Sequence, residues 1–123
     1  EGRMVQVAVK RVYEEPHDND GARVLIDKLW PRGVRKDQLV MDAWYKEVTP
    51  SSDLRNWFHE DPVGRWPAFR NAYLHELAQC KAQAEALLEE QKQDKVTLLY
   101  AAKDNSRNHA IVLKEYLDKL KLG

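Results

Sequence analysis

Apolar positions along this chain switch between two periods. Val5, Val7 and Val9 alternate with Gln6, Ala8 and Lys10, the repeat of a strand with one buried face. The stretch Glu14-Glu15-Pro16-His17-Asp18-Asn19-Asp20-Gly21 is rich in residues that tolerate tight backbone and reads as a turn. Val24-Leu25-Ile26 is apolar on both faces, as an interior strand covered on two sides should be, and Pro31 with Gly33 stops it. Arg35 to Leu39 predicts a short helical turn, and the looser alternation from Val40 to Lys46 predicts a third strand.

The period then lengthens. Thr49-Pro50-Ser51-Ser52-Asp53 is a helix start, with Ser or Thr as cap, and Leu54, Trp57 and Phe58 give that helix its apolar face. Asp61-Pro62 starts another helix, because proline suits the first helical position. From there Trp66, Phe69, Tyr73, Leu77, Cys80, Ala84, Leu87 and Leu88 recur at three- and four-residue steps, a long stripe with a break expected between Gln79 and Gln83. Val96 to Ala102 returns to strand grammar. Asn105 or Ser106 is the expected cap of a last helix carrying Ala110, Leu113, Leu117 and Leu120. Interleaved strands and helices with two interior strands predict one small α/β domain, a mostly parallel or mixed sheet of roughly four strands covered by helices.

Composition narrows the function classes. A chain of 123 residues fits a single core. Its 20 Lys and Arg balance 20 Asp and Glu, so no net field favours nucleic acid or an anionic membrane. No apolar run approaches a membrane span. Cys80 stands alone, which rules out an internal disulfide and points to a reducing cytoplasm. Glu1-Gly2-Arg3 before Met4 reads as an expression-tag remnant, leaving 4–123 as the domain. His17, His59, His75 and His109 lack the paired spacing of a zinc site, and Asp18-Asn19-Asp20-Gly21 has proline where a calcium loop needs its first ligand. Without a Gly-rich phosphate loop or a dinucleotide fingerprint, no metal or cofactor is expected.

Both interior strands end in polar loops, Leu29-Trp30-Pro31-Arg32-Gly33 and Lys103-Asp104-Asn105-Ser106-Arg107-Asn108-His109. Ligands of open α/β sheets sit beyond the carboxyl ends of strands. If the two strands are parallel neighbours, Arg32, Lys103, Asn108 and His109 converge there, helped by the positive end of the last helix. Arg32 would supply a fork for an anion, Lys103 a point charge and Asn108 an orienting amide, unless Asn108 merely caps the helix. His109 in a first helical turn favours the neutral imidazole and is the candidate for proton transfer. Asp27 interrupts an apolar strand and should pair with Arg23, Arg32 or Lys103. Trp30 is placed to wall a pocket or lock the turn, and Trp30-Pro31 is a candidate cis bond. Trp57 and Trp66 are expected in the core, and Cys80 as an inert buried thiol.

Lys10-Arg11-Val12-Tyr13, Arg23-Val24-Leu25-Ile26-Asp27 with Leu29-Trp30-Pro31-Arg32-Gly33, Leu54-Arg55 with Trp57-Phe58, Asp61-Pro62 with Arg65-Trp66, and Thr97-Leu98-Leu99-Tyr100-Ala101-Ala102-Lys103-Asp104 with Asn108-His109-Ala110 are shared motifs. Through them the chain resembles the YeaO-like family, small bacterial proteins grouped as a domain of unknown function. The resemblance implies a compact α/β fold and no established activity. Its motif residues outside the obvious core are Arg11, Asp27, Trp30, Arg32, Lys46, Tyr100, Lys103, Asp104, Asn108 and His109. Glu60 and Gly64 depart from its pattern at the Asp-Pro turn, so His59 is not counted among the site residues. The expected function is a polar pocket for a small phosphorylated or carboxylated molecule, which the protein either acts on as an enzyme or merely senses. Two alternatives stand beside it: a self-associating module using the Trp66-to-Leu88 stripe, and a nucleic-acid-associated protein using Arg11, Arg32, Arg35 and Lys36.

Overall fold

The structure, a computed structural model, describes residues 4–122; Arg3 and the rest of the expected tag remnant lie outside the described residues. Four strands, β1 (Gln6–Arg11), β2 (Ala22–Leu25), β3 (Ala43–Trp44) and β4 (Lys95–Tyr100), form one sheet in the order β1-β4-β2-β3. Every pairing is parallel, with Val9 opposite Leu98 and Val24 opposite Leu98 on its other side. β4 is therefore central, and the two runs that read as interior strands are adjacent. Val24, Leu25, Ile26, Val96, Leu98 and Leu99 are all fully buried, each contributing about 1.5–3 kcal/mol of burial.

Helices cover one face only. α1 (Ser52–His59), α2 (Pro62–Gln79), α3 (Lys81–Glu90) and α4 (His109–Leu122) pack on the side carrying Val7, Val24, Ile26, Val96 and Leu98. The opposite face, with Val12, Leu25 and Leu99, is roofed by Trp30, Val34, Leu39 and Met41 from the β2–β3 connection and by Trp44 of β3. Beside that roof Asp20 joins Lys10 at 2.9 Å and Arg23 at 2.5 Å, and Thr97 Oγ1 donates to the Asp20 carbonyl at 2.7 Å. Burial pushes the Asp20 carboxyl up, but Lys10, the His17 N–H and Arg23 together outweigh it and hold it at about 2. Gly21 enters β2 with φ +66°, and a Cβ there would lie 2.3 Å from the Lys95 carbonyl oxygen, so only glycine fits.

The helix starts follow the sequence. Ser51 caps α1, its Oγ accepting from Leu54 N–H at 3.2 Å, and Asp61 caps α2 through Gly64 N–H at 3.1 Å with Pro62 at the first position. The long stripe breaks at Cys80, where φ −118° and ψ 38° part α2 from α3. Phe69, Tyr73, Leu77, Ala84, Leu87 and Leu88 are consumed by the domain's own core, so the stripe does not offer a free interface.

Elsewhere the structure departs from expectation. The third strand shrinks to Ala43–Trp44, because the Asp42 carboxylate accepts the Arg23 N–H at 2.8 Å in place of a ladder carbonyl. Arg35 to Leu39 holds one turn, closed by Gln38 N–H to Arg35 O at 3.0 Å, and no helix. Trp30-Pro31 is trans. Trp57 is 37% exposed, lying over Arg65 on the outside of the α1–α2 corner rather than in the core. Cys80 is half-buried, and burial, reinforced by Glu76, pushes its thiol up.

Candidate functional site

The connections after β2 and β4 leave the sheet on opposite faces. The chain after β2 folds over the Leu25–Leu99 face, while β4 leads into α4 on the helical face. Two neighbouring parallel strands whose exits diverge leave a crevice between them. A cleft of about 850 Å³ opens there, bounded by the two exits, by Arg11 at the end of β1 and Tyr13 just past it, and by α1 and the start of α2.

His109 and Asp27 meet at its wall. His109 Nε2 lies 2.7 Å from the Ile26 carbonyl oxygen and 3.1 Å from Asp27 Oδ1. A carbonyl only accepts, so Nε2 carries the proton and Nδ1 is the nitrogen left for other chemistry. The Nε2–H points at Ile26 O, which leaves Asp27 Oδ1 beside it without a well-aligned hydrogen of its own. Asp27 Oδ2 accepts the Ala101 N–H at 3.0 Å, tying the β2 exit to the β4 exit. The Arg or Lys partner expected for Asp27 is not there among the described residues: an imidazole and a backbone amide stand in its place, and Arg23 is engaged by Asp20.

Of the other expected residues, Trp30, Arg32, Lys103, Asn108 and Arg11 all line the cleft, and Tyr100 does not. Tyr100 is 3% exposed within the core, and burial, with Glu14 adding, pushes its hydroxyl up. Asn108 is the cap of α4, in place of Asn105 or Ser106: its Oδ1 accepts from Ile111 N–H at 3.1 Å and its Nδ2 donates to Asp104 O at 2.9 Å. Arg11 clamps the β4 exit by donating to the carbonyls of Ala102 at 2.9 Å and Ala101 at 3.2 Å. Asp104 folds the loop onto itself, accepting from Ser106 N–H, Arg107 N–H and Arg107 Nε, and the two backbone bonds hold its carboxyl low.

Sequence reasoning missed the wall built by α1. Arg55 and His59 stand four residues apart and both face the cleft. Ser51 fixes α1 against α2 through Glu76, at 2.8 Å from its N–H and 2.7 Å from its Oγ, and Phe58 stacks on Phe69 at 4.1 Å. Arg55 makes no side-chain hydrogen bond or ion pair among the described residues, and its Nε is sealed from solvent without a partner. Burial, then Arg55 and His109, pushes the His59 imidazole below its ordinary range, with Asp27 pulling the other way. The Arg55–His59 spacing beside the apolar Leu54–Phe58 stripe was the available signal.

The charge balance is lopsided. Arg11, Lys28, Arg32, Arg55, Lys103 and Arg107 line the cleft against the carboxylates of Asp27 and Asp104. Arg11 and Arg107 are spent on the chain itself, whereas Lys28, Arg32, Arg55 and Lys103 have no carboxylate partner among the described residues.

A family model described as the inactive DUF488-N3 subclade matches residues 6–121. The chain belongs to this DUF488-N3i family. It is 44% identical over 116 residues to the uncharacterized protein YeaO of Escherichia coli (strain K12), covering 94% of this chain and 100% of that one. It is 40% identical over 116 residues to the uncharacterized protein Rv3073c of Mycobacterium tuberculosis (strain ATCC 25618 / H37Rv), covering 94% and 97%. The uncharacterized protein Mb3100c of Mycobacterium bovis matches to the same extent. No solved structure matches. The YeaO-like resemblance of the motifs is therefore a family relationship across the domain. Among the described residues no helix is long and apolar enough to cross a membrane, and no cluster of His, Cys, Asp and Glu could hold a metal ion.

Proposed function

We propose that this protein is a cytoplasmic binding protein for a small anion, a carboxylate or phosphate, held in the cleft between the β2 and β4 exits. One observation carries the reading: in a chain with balanced charges, four cations without carboxylate partners among the described residues line one cleft. Cations that neutralise nothing in the protein repel one another, and that cost is relieved by a bound anion. Arg55 is the residue we assign to the anion itself, because its guanidinium has no acceptor among the described residues. Arg32 and Lys103, exposed at the rim, draw the anion in. The description of the family as an inactive subclade favours binding over turnover.

The test is thermal unfolding in sulfate against sodium chloride of equal ionic strength. A bound anion at ten times its Kd adds about 1.4 kcal/mol, or about 5 °C for a domain of this size. The parent should show a saturable sulfate shift, Arg32→Ala a reduced one and Arg55→Gln none. Equal shifts in sulfate and chloride, or in parent and Arg55→Gln, would dismiss the reading.

A second reading draws on His109, whose Nε2–H is oriented by Ile26 O with Asp27 Oδ1 beside it, so that Nδ1 is left to act as a base. The lining offers that base no serine or cysteine, and its single hydroxyl-bearing threonine, Thr49, already donates to Lys46 O at 2.7 Å. In this reading His109 moves a proton on a bound molecule rather than activating a protein nucleophile, and His109→Asn would abolish turnover without abolishing binding.

A further inference from the structure

We infer that the molecule this cleft accepts carries its anionic head on a flat apolar body, as an arylcarboxylate or an aryl phosphate does. The inference rests on the anion reading above and accounts for the part of the cleft that reading leaves unused. A volume of about 850 Å³ falls among sites for molecules of drug size, about 300–1,000 Å³. A bare inorganic anion fills a small part of it.

The cleft lining carries two chemistries. Arg55, His59 and His109 form one wall, close enough that both Arg55 and His109 depress the His59 imidazole. Leu29, Trp30, Pro31, Pro50, Phe58 and Pro62 supply an apolar boundary. Trp30 is fixed before any ligand arrives: its Nε1–H donates to Val34 O at 2.6 Å and its ring meets the edge of Trp44 at 5.5 Å and 67°. A wall that is already ordered loses little freedom when a ring packs on it.

The mouth carries the second sign. Leu29 is 62% exposed and Tyr13 48% exposed, and both border the cleft. The Tyr13 ring is itself positioned, with its hydroxyl donating to Arg32 O at 2.8 Å and the Arg11 guanidinium 4.8 Å from its centroid. Apolar side chains held at the rim of a cationic cleft are covered when a ring-bearing anion enters, with its head at Arg55 and its body against Trp30 and Leu29.

Calorimetric titration of the full chain with four probes tests this: naphthoate, phenyl phosphate, acetate and the neutral naphthalenemethanol. Naphthoate should bind about thirtyfold tighter than acetate, from the apolar area its rings bury, and about tenfold tighter than the alcohol, from its charge. Leu29→Ser, a change at an exposed position, should weaken naphthoate about threefold and leave sulfate binding unchanged. Phenyl phosphate binding tighter than naphthoate supports the class with a phosphate head; the reverse order supports it with a carboxylate head. Acetate and naphthoate binding equally would overturn the apolar body while leaving the anion site standing. The alcohol binding as tightly as naphthoate, or no anion binding at all, would overturn both.

Discussion

Replacing Arg55 with methionine should stabilise this protein while abolishing its anion binding. Arg55 stands on α1 with a buried Nε that reaches no acceptor, and a guanidinium with no hydrogen bond or ion pair among the described residues. A buried donor left unpaired costs about 1–3 kcal/mol, and the lower end applies because the side chain is only half-buried. Methionine keeps most of the apolar stem and removes the charge. The substitution should therefore gain about 1 kcal/mol, seen as a rise in Tm of about 3–4 °C and a higher urea midpoint with unchanged slope. The same change removes one of the groups that push His59 down, so the His59 imidazole should titrate at higher pH in Arg55→Met. Urea unfolding and histidine NMR titration measure the two effects. Destabilisation by more than about 1 kcal/mol, with His59 unmoved, would show that Arg55 is a structural residue, and the stated origin of the site would be wrong.

Other consequences follow from the remaining contacts. Asp20, held at about 2 by Lys10, His17 and Arg23, has a depressed folded-state pKa; its contribution of about 2 kcal/mol is present above pH about 4 and lost as pH falls toward 2, so urea midpoints should drop over that window in the parent and less in Asp20→Asn. Gly21→Ala meets both the positive φ and the Lys95 carbonyl and should cost about 3 kcal/mol or more in chemical unfolding. The nitrogen spectrum of His109 should show a protonated Nε2 wherever the fold survives, because Ile26 O can only accept; an unprotonated Nε2 would contradict the assigned geometry. Charged His59 attracts an anion and neutral His59 does not, so sulfate affinity should strengthen as pH falls and level off below the depressed His59 pKa.

How far the sequence revealed this arrangement depended on whether the signal was local. Val24-Leu25-Ile26 and Val96 to Ala102 announced themselves as interior strands because burial on two faces demands largely apolar runs, and the structure pairs Ala22–Leu25 beside Lys95–Tyr100. Asp61-Pro62 and the break near Cys80 were equally legible, since caps and periodicity lie within a few residues. Asn105, Ser106 and Asn108 all stood as possible caps, and the contacts Asn108 makes with Asp104 O and Ile111 N–H decide which one the helix uses. The third strand was overread because Asp42 replaces a rung of the ladder with its side chain. Asp27 was rightly expected to need a partner, but the partner is 82 residues away in His109, a distance no local pattern bridges. Arg55 and His59 belong to the cleft only because α2 and Glu76 swing α1 over the strand ends.

The most direct measurement is a crystal structure grown with selenate, whose selenium gives an anomalous signal that fixes the anion without ambiguity. The account predicts an anomalous peak inside the cleft, within hydrogen-bond reach of the Arg55 guanidinium and one of the imidazoles of His59 and His109. Selenate peaks confined to the outer surface, with the cleft free of anion at saturating concentration, would contradict it.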